Sequence, residues 1–164
     1  MALGDLKLTY ASLSVTFGKS SGNKFLQEEM PRSEINMNQG ESFTIAGNFL
    51  VSGTSYEPRH IYTVTASCLL EDCEKLRAMW RLSDAARRAL GAWQMIVDDE
   101  TERFFEATKT RSSVTATADI SLNGGVYYYP RMQVFMPSAP IFGIQTGIDF
   151  RKVIISLQET GVKI

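Results

Sequence analysis

The hydrophobic period of this chain changes once, abruptly, between His60 and Leu90. From His60 to Cys68 the residues Tyr62, Val64, Ala66 and Cys68 fall on one face, with Thr63, Thr65 and Ser67 on the other. That is the two-residue period of a half-buried strand. At Leu69 the spacing becomes three to four. Leu69, Cys73, Leu76, Trp80 and Ser83, joined by Met79, Ala86 and Leu90, form the apolar stripe of an amphipathic helix over about residues 70–90. Glu71, Asp72 and Glu74 near its start, and Arg87 and Arg88 near its end, complement the helix macrodipole. Gly91 stands where a left-handed cap residue is expected.

Everything else with a clear period reads as strand. Leu13, Val15 and Phe17 alternate with Ser12, Ser14 and Thr16, while Leu6, Leu8 and Tyr10 alternate in the opposite phase. The phase switch near Ala11 points to a bulge, a bend or burial on both sides. Ser42 to Ser52 reads as one further strand, followed by turn chemistry from Gly53 to Pro58. After the helix, Trp93 to Val97 and Arg103 to Thr108 read as strands around a polar hairpin turn at Asp98-Asp99-Glu100-Thr101. Val114 to Leu122 alternates, and Asn123-Gly124-Gly125 supplies the positive torsions of a tight turn. Val126 to Met136 is a strand broken by Pro130, Pro137 to Gly147 a turn-rich connection, and Ile148 to Glu159 the last strand.

About three strands, a helix and about five strands make a mainly β (α+β) chain. The most economical arrangement is an antiparallel β-barrel or sandwich with one flanking helix. At 164 residues the chain suits a single domain spanning 1–164, since domains cluster near ~100–150 residues. Within it, Gly18 to Gly40 has no clear period but carries Phe25, Leu26, Met30, Ile35 and Met37. A disordered loop holds fewer apolar residues. Two readings stand side by side: an arm that orders against a neighbouring subunit, or a packed loop or hairpin of this same domain.

A formal net charge of -1 gives no basic excess for neutralising phosphates or an anionic membrane surface. No apolar run approaches the ~20 residues that span a bilayer, and the first residues lack a signal-peptide pattern, so a soluble, cytoplasmically made protein is expected. Cys68 and Cys73 have neither disulfide-framework nor metal spacing, and read as two free thiols packed as small hydrophobes.

Chemistry is sparse. The one histidine, His60, cannot alone supply a zinc triad and stands beside a strand start, where a structural role is the commoner one. Asp98, Asp99, Glu100 and Glu102 invite calcium, but lack the glycine and distant glutamate of an EF-hand loop. Neither a P-loop nor a dinucleotide fingerprint occurs. The expectation is no catalytic residue, no cofactor and no metal site. Lys75, Arg77, Arg81, Arg87 and Arg88 give the helix a basic side, either solvated among its acids or ion-paired with a neighbouring subunit. Tyr127-Tyr128-Tyr129-Pro130 puts aromatics on both faces of an edge strand. Tyrosine suits strands and interfaces alike, so Tyr127 and Tyr129 join Phe25, Leu26, Met30, Ile35 and Met37 as candidate subunit-interface residues.

The run Ile61-Tyr62-Thr63-Val64-Thr65-Ala66, the acid-led helix through Trp80, and the strands from Trp93 resemble the tail-tube, distal-tail and minor tail-tip proteins of long-tailed bacteriophages. The closing segment Phe150 to Glu159 is similar to the final strand of such proteins. The resemblance covers about half the chain and lies in the order of elements. It implies a barrel or sandwich whose copies assemble side by side into a ring, a trimer or hexamer, with neighbouring tail proteins above and below. DNA would pass through the channel without sequence-specific contacts, the 18–40 segment would clasp the next subunit, and the protein would reside in the virion tail or baseplate. A small-ligand-binding β-barrel is the alternative, since barrels of about eight strands can enclose one ligand.

Overall fold

The computed structural model describes residues 4–26, 31–36, 40–43, 49–52, 58–146 and 149–160. The strands before the helix are β1 (Leu6–Tyr10), β2 (Leu13–Phe17), β3 (Lys24–Phe25), β4 (Arg32–Asn36), β5 (Gly40–Phe43), β6 (Phe49–Ser52) and β7 (Pro58–Leu69). Helix α1 (Leu70–Arg88) follows directly. Then come β8 (Met95–Asp99), β9 (Phe104–Glu106), β10 (Ser112–Ser113), β11 (Ile120–Leu122), β12 (Gly125–Tyr128), β13 (Pro130–Phe135), β14 (Ile141–Thr146) and β15 (Phe150–Glu159).

The large sheet runs β2-β1-β8-β13-β15-β7-β3, with β10, β14 and β4 pairing onto β13, β15 and β7. All its pairings are antiparallel. Its ends curl toward each other. Phe17 at the end of β2 bridges to Asn23 beside β3, and Gly18 N–H donates to Asn23 O at 3.0 Å, which nearly closes a barrel. Alternation along β7 and β15 points Tyr62, Val64, Ala66, Cys68, Val153, Ile155 and Leu157 inward, each at most 1% exposed.

Helix α1 presses Cys73, Leu76 and Met79 into that interior. Burying a Leu or Met side chain contributes about 1.5–3 kcal/mol, so this stripe holds the helix down. No side chain caps the helix from its own N-cap residue, Leu69. Asn23, 1% exposed, serves instead: its Oδ1 accepts Leu69 N–H at 2.8 Å, and its Nδ2 donates to Asp72 Oδ2 at 2.7 Å and Thr16 O at 2.9 Å. The same residue thus ties the barrel seam to the strand–helix junction.

At the other helix end, Gly91 N–H reaches Ala86 O at 2.8 Å and Leu90 N–H reaches Arg87 O, the paired bonds of a Schellman cap. The left-handed residue is Leu90 (φ 55), not Gly91 as the sequence suggests. Leu90 is also 95% exposed, so the apolar stripe ends before it. The helix cations are largely matched on the helix itself: Lys75 with Glu71 and Asp72, Arg77 with Glu74, and Arg87 and Arg88 with Asp84. Cys68 and Cys73 are buried free thiols, and burial pushes both above the ordinary thiol range; Cys73 adds to the rise at Cys68, whereas Cys68 and Arg151 partly offset it at Cys73.

Several expectations change. The phase switch near Ala11 is a two-residue hairpin, with Tyr10 opposite Leu13 and Ala11 left-handed (φ 51). Ser42 to Ser52 is not one strand: Phe43 of β5 pairs antiparallel with Phe49 of β6, and the intervening residues 44–48 fall outside the described residues. Asp98 and Asp99 belong to β8, which pairs with β1 and β13, while β9 joins a different sheet; the acidic tetrapeptide therefore joins no hairpin. Val114 to Leu122 contributes only β11, after a 3-10 turn at Ala116–Ala118. Pro137 to Gly147 contains β14, paired with β15. Within residues 18–40, β3 and β4 pair with β7 of this same chain, Asn23 bridges to Phe17, and Gly40 opens β5, which pairs with β6.

Candidate functional site

Strands β11, β12 and β9 form a separate three-stranded sheet. Its hairpin is set by Asn123 (φ 54) and Gly124 (φ 75), both left-handed, with Leu122 opposite Gly125. From there the register lines Ile120, Tyr127 and Phe105 in one row across the strands. A side chain at Gly125 would collide with the Phe105 ring at 2.5 Å, so the glycine lets that ring lie over β12. Pro130 begins β13 and hands the chain from this sheet to the barrel.

The inner face carries Phe104, Glu106 and Tyr128. It meets the end of the barrel where His60, in phase with inward Tyr62, and Glu159, in phase with inward Leu157, are 7% and 5% exposed. Arg111 joins the two bodies. Its Nε donates to Glu159 Oε1 at 2.7 Å, its Nη2 to Glu159 Oε2 at 3.1 Å, and its Nη1 to Glu106 Oε1. Glu159 Oε2 also accepts His60 N–H at 3.0 Å and lies 3.1 Å from His60 Nδ1. The Phe104 ring sits 4.6 Å from the His60 ring. Burial by itself would raise the Glu159 carboxyl. The bonds from His60 and Arg111 outweigh it and bring the group down to about 2. A carboxylate so strongly held is no general base, since that task needs a group poised near the working pH.

Burial, then the nearby Glu106 carboxylate, push the Tyr128 phenol above its ordinary range; its Oη makes no well-formed hydrogen bond among the described residues. Lys109 closes the flank, 2.7 Å from Asp119 and 2.5 Å from Ser113 Oγ, with its ammonium 5.2 Å from the Tyr128 ring centroid. Charge therefore pins the inner face.

The outer face is the opposite. Phe105 is 48%, Ile120 44% and Leu122 54% exposed, and the Tyr127 ring lies 4.7 Å from that of Phe105. In phase with Tyr127, Tyr129 continues the face, with the Arg103 guanidinium 4.9 Å over its ring. Tyr129 also borders a shallow cleft of about 310 Å³ shared with Gly4, Asp5, Lys19, Glu100, Thr115 and Ala118.

The candidate interface residues do not all gather here. Tyr127 and Tyr129 do. Phe25 instead packs on the core near Phe17, at 6.3 Å between rings, and Leu26 is 51% exposed at the end of β3. Ile35 lies in β4, and Met30 and Met37 lie outside the described residues. Sequence reasoning missed Phe105, Ile120 and Leu122, although the Asn123-Gly124 turn fixes a register that sets Ile120 against Tyr127. It had no means of finding Arg111, whose partner Glu159 is 48 positions away. The acids weighed for calcium do not converge: Asp98 pairs with Arg131 at 2.6 Å, while Asp99 is fully buried against Thr101.

Fold and site together define a helix-braced antiparallel β-barrel carrying an accessory sheet with one pinned and one open face. No family model, curated protein or solved structure matches the chain.

Proposed function

We propose that this chain is a structural assembly subunit, a ring component of a bacteriophage tail or baseplate whose copies surround a DNA channel. The observation that carries the reading is the open outer face of the three-stranded sheet. Phe105, Tyr127, Ile120 and Leu122 present contiguous apolar surface there, and such patches on a folded chain mark contact sites. Aromatics of this kind dominate interface energetics. The barrel with one flanking helix supports the bacteriophage form of the reading, because that architecture is what the resemblance implies.

A ligand barrel fits less well. The interior is occupied by Tyr62, Leu8, Met79, Met95, Met132 and Leu157, all at most 1% exposed. A barrel built to enclose a ligand keeps that space lined but unfilled.

Light scattering of the purified protein, with negative-stain electron microscopy of the same fractions, tests the proposal. Closed trimers or hexamers with a central opening are expected. A protein that stays monomeric over the whole accessible concentration range contradicts it.

A further inference from the structure

The turn that sets the register of the accessory sheet is also chemically open. Asn123 is the only asparagine of the chain followed by glycine. Asn123 and Gly124 are exposed and left-handed (φ 54 and φ 75) between β11 and β12. The Asn123 carboxamide has no hydrogen-bond partner among the described residues, and neither has the Gly124 amide. The space around Gly124 is empty: a Cβ placed there would meet nothing within 4 Å.

Asn23 shows the opposite arrangement. It is 1% exposed, its carboxamide is bonded to Leu69 N–H, Asp72 and Thr16 O, and Lys24 follows it. Those bonds fix the side chain, so it cannot swing onto the next backbone nitrogen. An asparagine carboxamide meets that nitrogen in a five-membered ring, which needs the nitrogen unhindered and the backbone free to turn. Glycine meets both needs, having no Cβ and tolerating torsions closed to other residues. At Asn123 a second glycine, Gly125, follows, and β11 is an edge strand of three residues paired only with β12. The turn is tethered lightly enough to reach the ring-closing geometry without unfolding the barrel.

We infer that Asn123-Gly124 is a site of spontaneous covalent modification, at which the folded chain converts Asn123 to isoaspartate and aspartate. The Gly124 nitrogen gives its proton to hydroxide and bonds to Asn123 Cγ. The Cγ–Nδ2 bond breaks, and ammonia leaves with a proton taken from water. Water then opens the resulting succinimide at either carbonyl carbon. Breaking the bond from nitrogen to Cγ gives aspartate; breaking the bond to the Asn123 backbone carbon gives isoaspartate, with the main chain rerouted through the side chain. One water enters for each ammonia released, and no oxidant or cofactor takes part. Isoaspartate adds a backbone carbon to a two-residue turn, and such turns fix which residues face each other. The pairings of Leu122 with Gly125 and of Ile120 with Tyr127 lose the turn that sets them, and a carboxylate stands beside exposed Leu122.

Trypsin gives a direct readout, because the peptide Ser112–Arg131 carries no side-chain amide except that of Asn123. The purified full chain is held in mildly alkaline buffer, folded and, in parallel, unfolded in guanidinium chloride. Mass spectrometry follows the peptide, and an isoaspartate methyltransferase is the probe for the rearranged linkage. The folded chain should lose the Asn123 amide progressively, with isoaspartate the main product, while Asn23 keeps its own. Gly124→Ala should lose most of the conversion, since a methyl group then shields the nitrogen. If alanine at that left-handed position unfolds the chain, as far-UV circular dichroism would show, Asn123→Gly keeps the turn and should remove the methyl-accepting site altogether. Equal behaviour of Asn123 and Asn23 in the folded chain overturns the inference. With both amides kept, the turn protects Asn123; with both lost, the reaction runs through the unfolded chain. Conversion to aspartate without isoaspartate overturns it as well, because no ring has formed.

Discussion

The two ends of the barrel are closed by opposite means. Where β7 runs into α1, the stopper is apolar: Cys73, Leu76 and Met79 enter the interior, with Asn23 satisfying the exposed backbone and side-chain groups at the junction. Where β7 begins, the stopper is ionic: Arg111 clamps Glu106 of the accessory sheet to Glu159 of the barrel, and His60 takes the remaining Glu159 lone pairs. Burial of oily side chains is tolerant of small shifts and indifferent to pH. A buried ion cluster is neither, because each charge depends on its partner for the solvation it has lost. The helix end should therefore be the more robust one, and the accessory sheet, held by these directed bonds and by the packing of Phe104 and Tyr128, should open more readily.

That difference can be broken from either side. Replacing Arg111 by Met strands the Glu159 and Glu106 carboxylates, a loss of about 3–5 kcal/mol for a buried pair deprived of one member. Denaturant unfolding should show it, and the added change Glu159→Gln should recover part of the loss, because the uncompensated charge is then gone. Leu76→Ala attacks the other end. A cavity under the helix should cost about 2–5 kcal/mol, read as a lower denaturant midpoint at unchanged slope.

Acid sharpens the contrast. The Glu159 carboxyl titrates at about 2 in the folded chain against an ordinary value of 4.5. A depressed carboxyl lends stability above its unfolded value and loses it as protons bind. The contribution, on the order of 3 kcal/mol at neutral pH, should fade as pH drops from about 5 toward 2. Unfolding midpoints measured across that window should fall steeply for the unaltered chain and less steeply for Glu159→Gln. The smallest effect lies at the helix exit. Leu90 holds a left-handed conformation with its side chain in water, so Leu90→Gly should raise stability by up to about 1 kcal/mol, visible as a small rise in Tm.

Sequence patterns foretold the apolar end far better than the ionic one. Along β7 and α1 every inward residue recurs at a fixed interval, so periodicity alone locates Tyr62, Val64, Leu76 and Met79. The Asn123-Gly124-Gly125 turn was equally legible, since positive torsions favour those residue types. Alternation misled where strands were short. Val114 and Ala116 keep the period, yet the chain there makes a 3-10 turn whose backbone bonds are local. Leu6 to Phe17 was a hairpin disguised as a kink, because its left-handed turn residue is Ala11, not Gly or Asn. Arg111, Glu106, His60 and Glu159 converge only through the sheet pairings, and no local spacing announces such a cluster.

Native-state hydrogen exchange on the Arg111→Met variant tests the separability of the two ends most directly. Amides of β9, β11 and β12 should lose protection by a sub-global opening, while those of β7 and β15 continue to exchange only through unfolding of the whole chain. If both sets lose protection together, the accessory sheet is no separate unit and the account of an ion-pinned end is wrong.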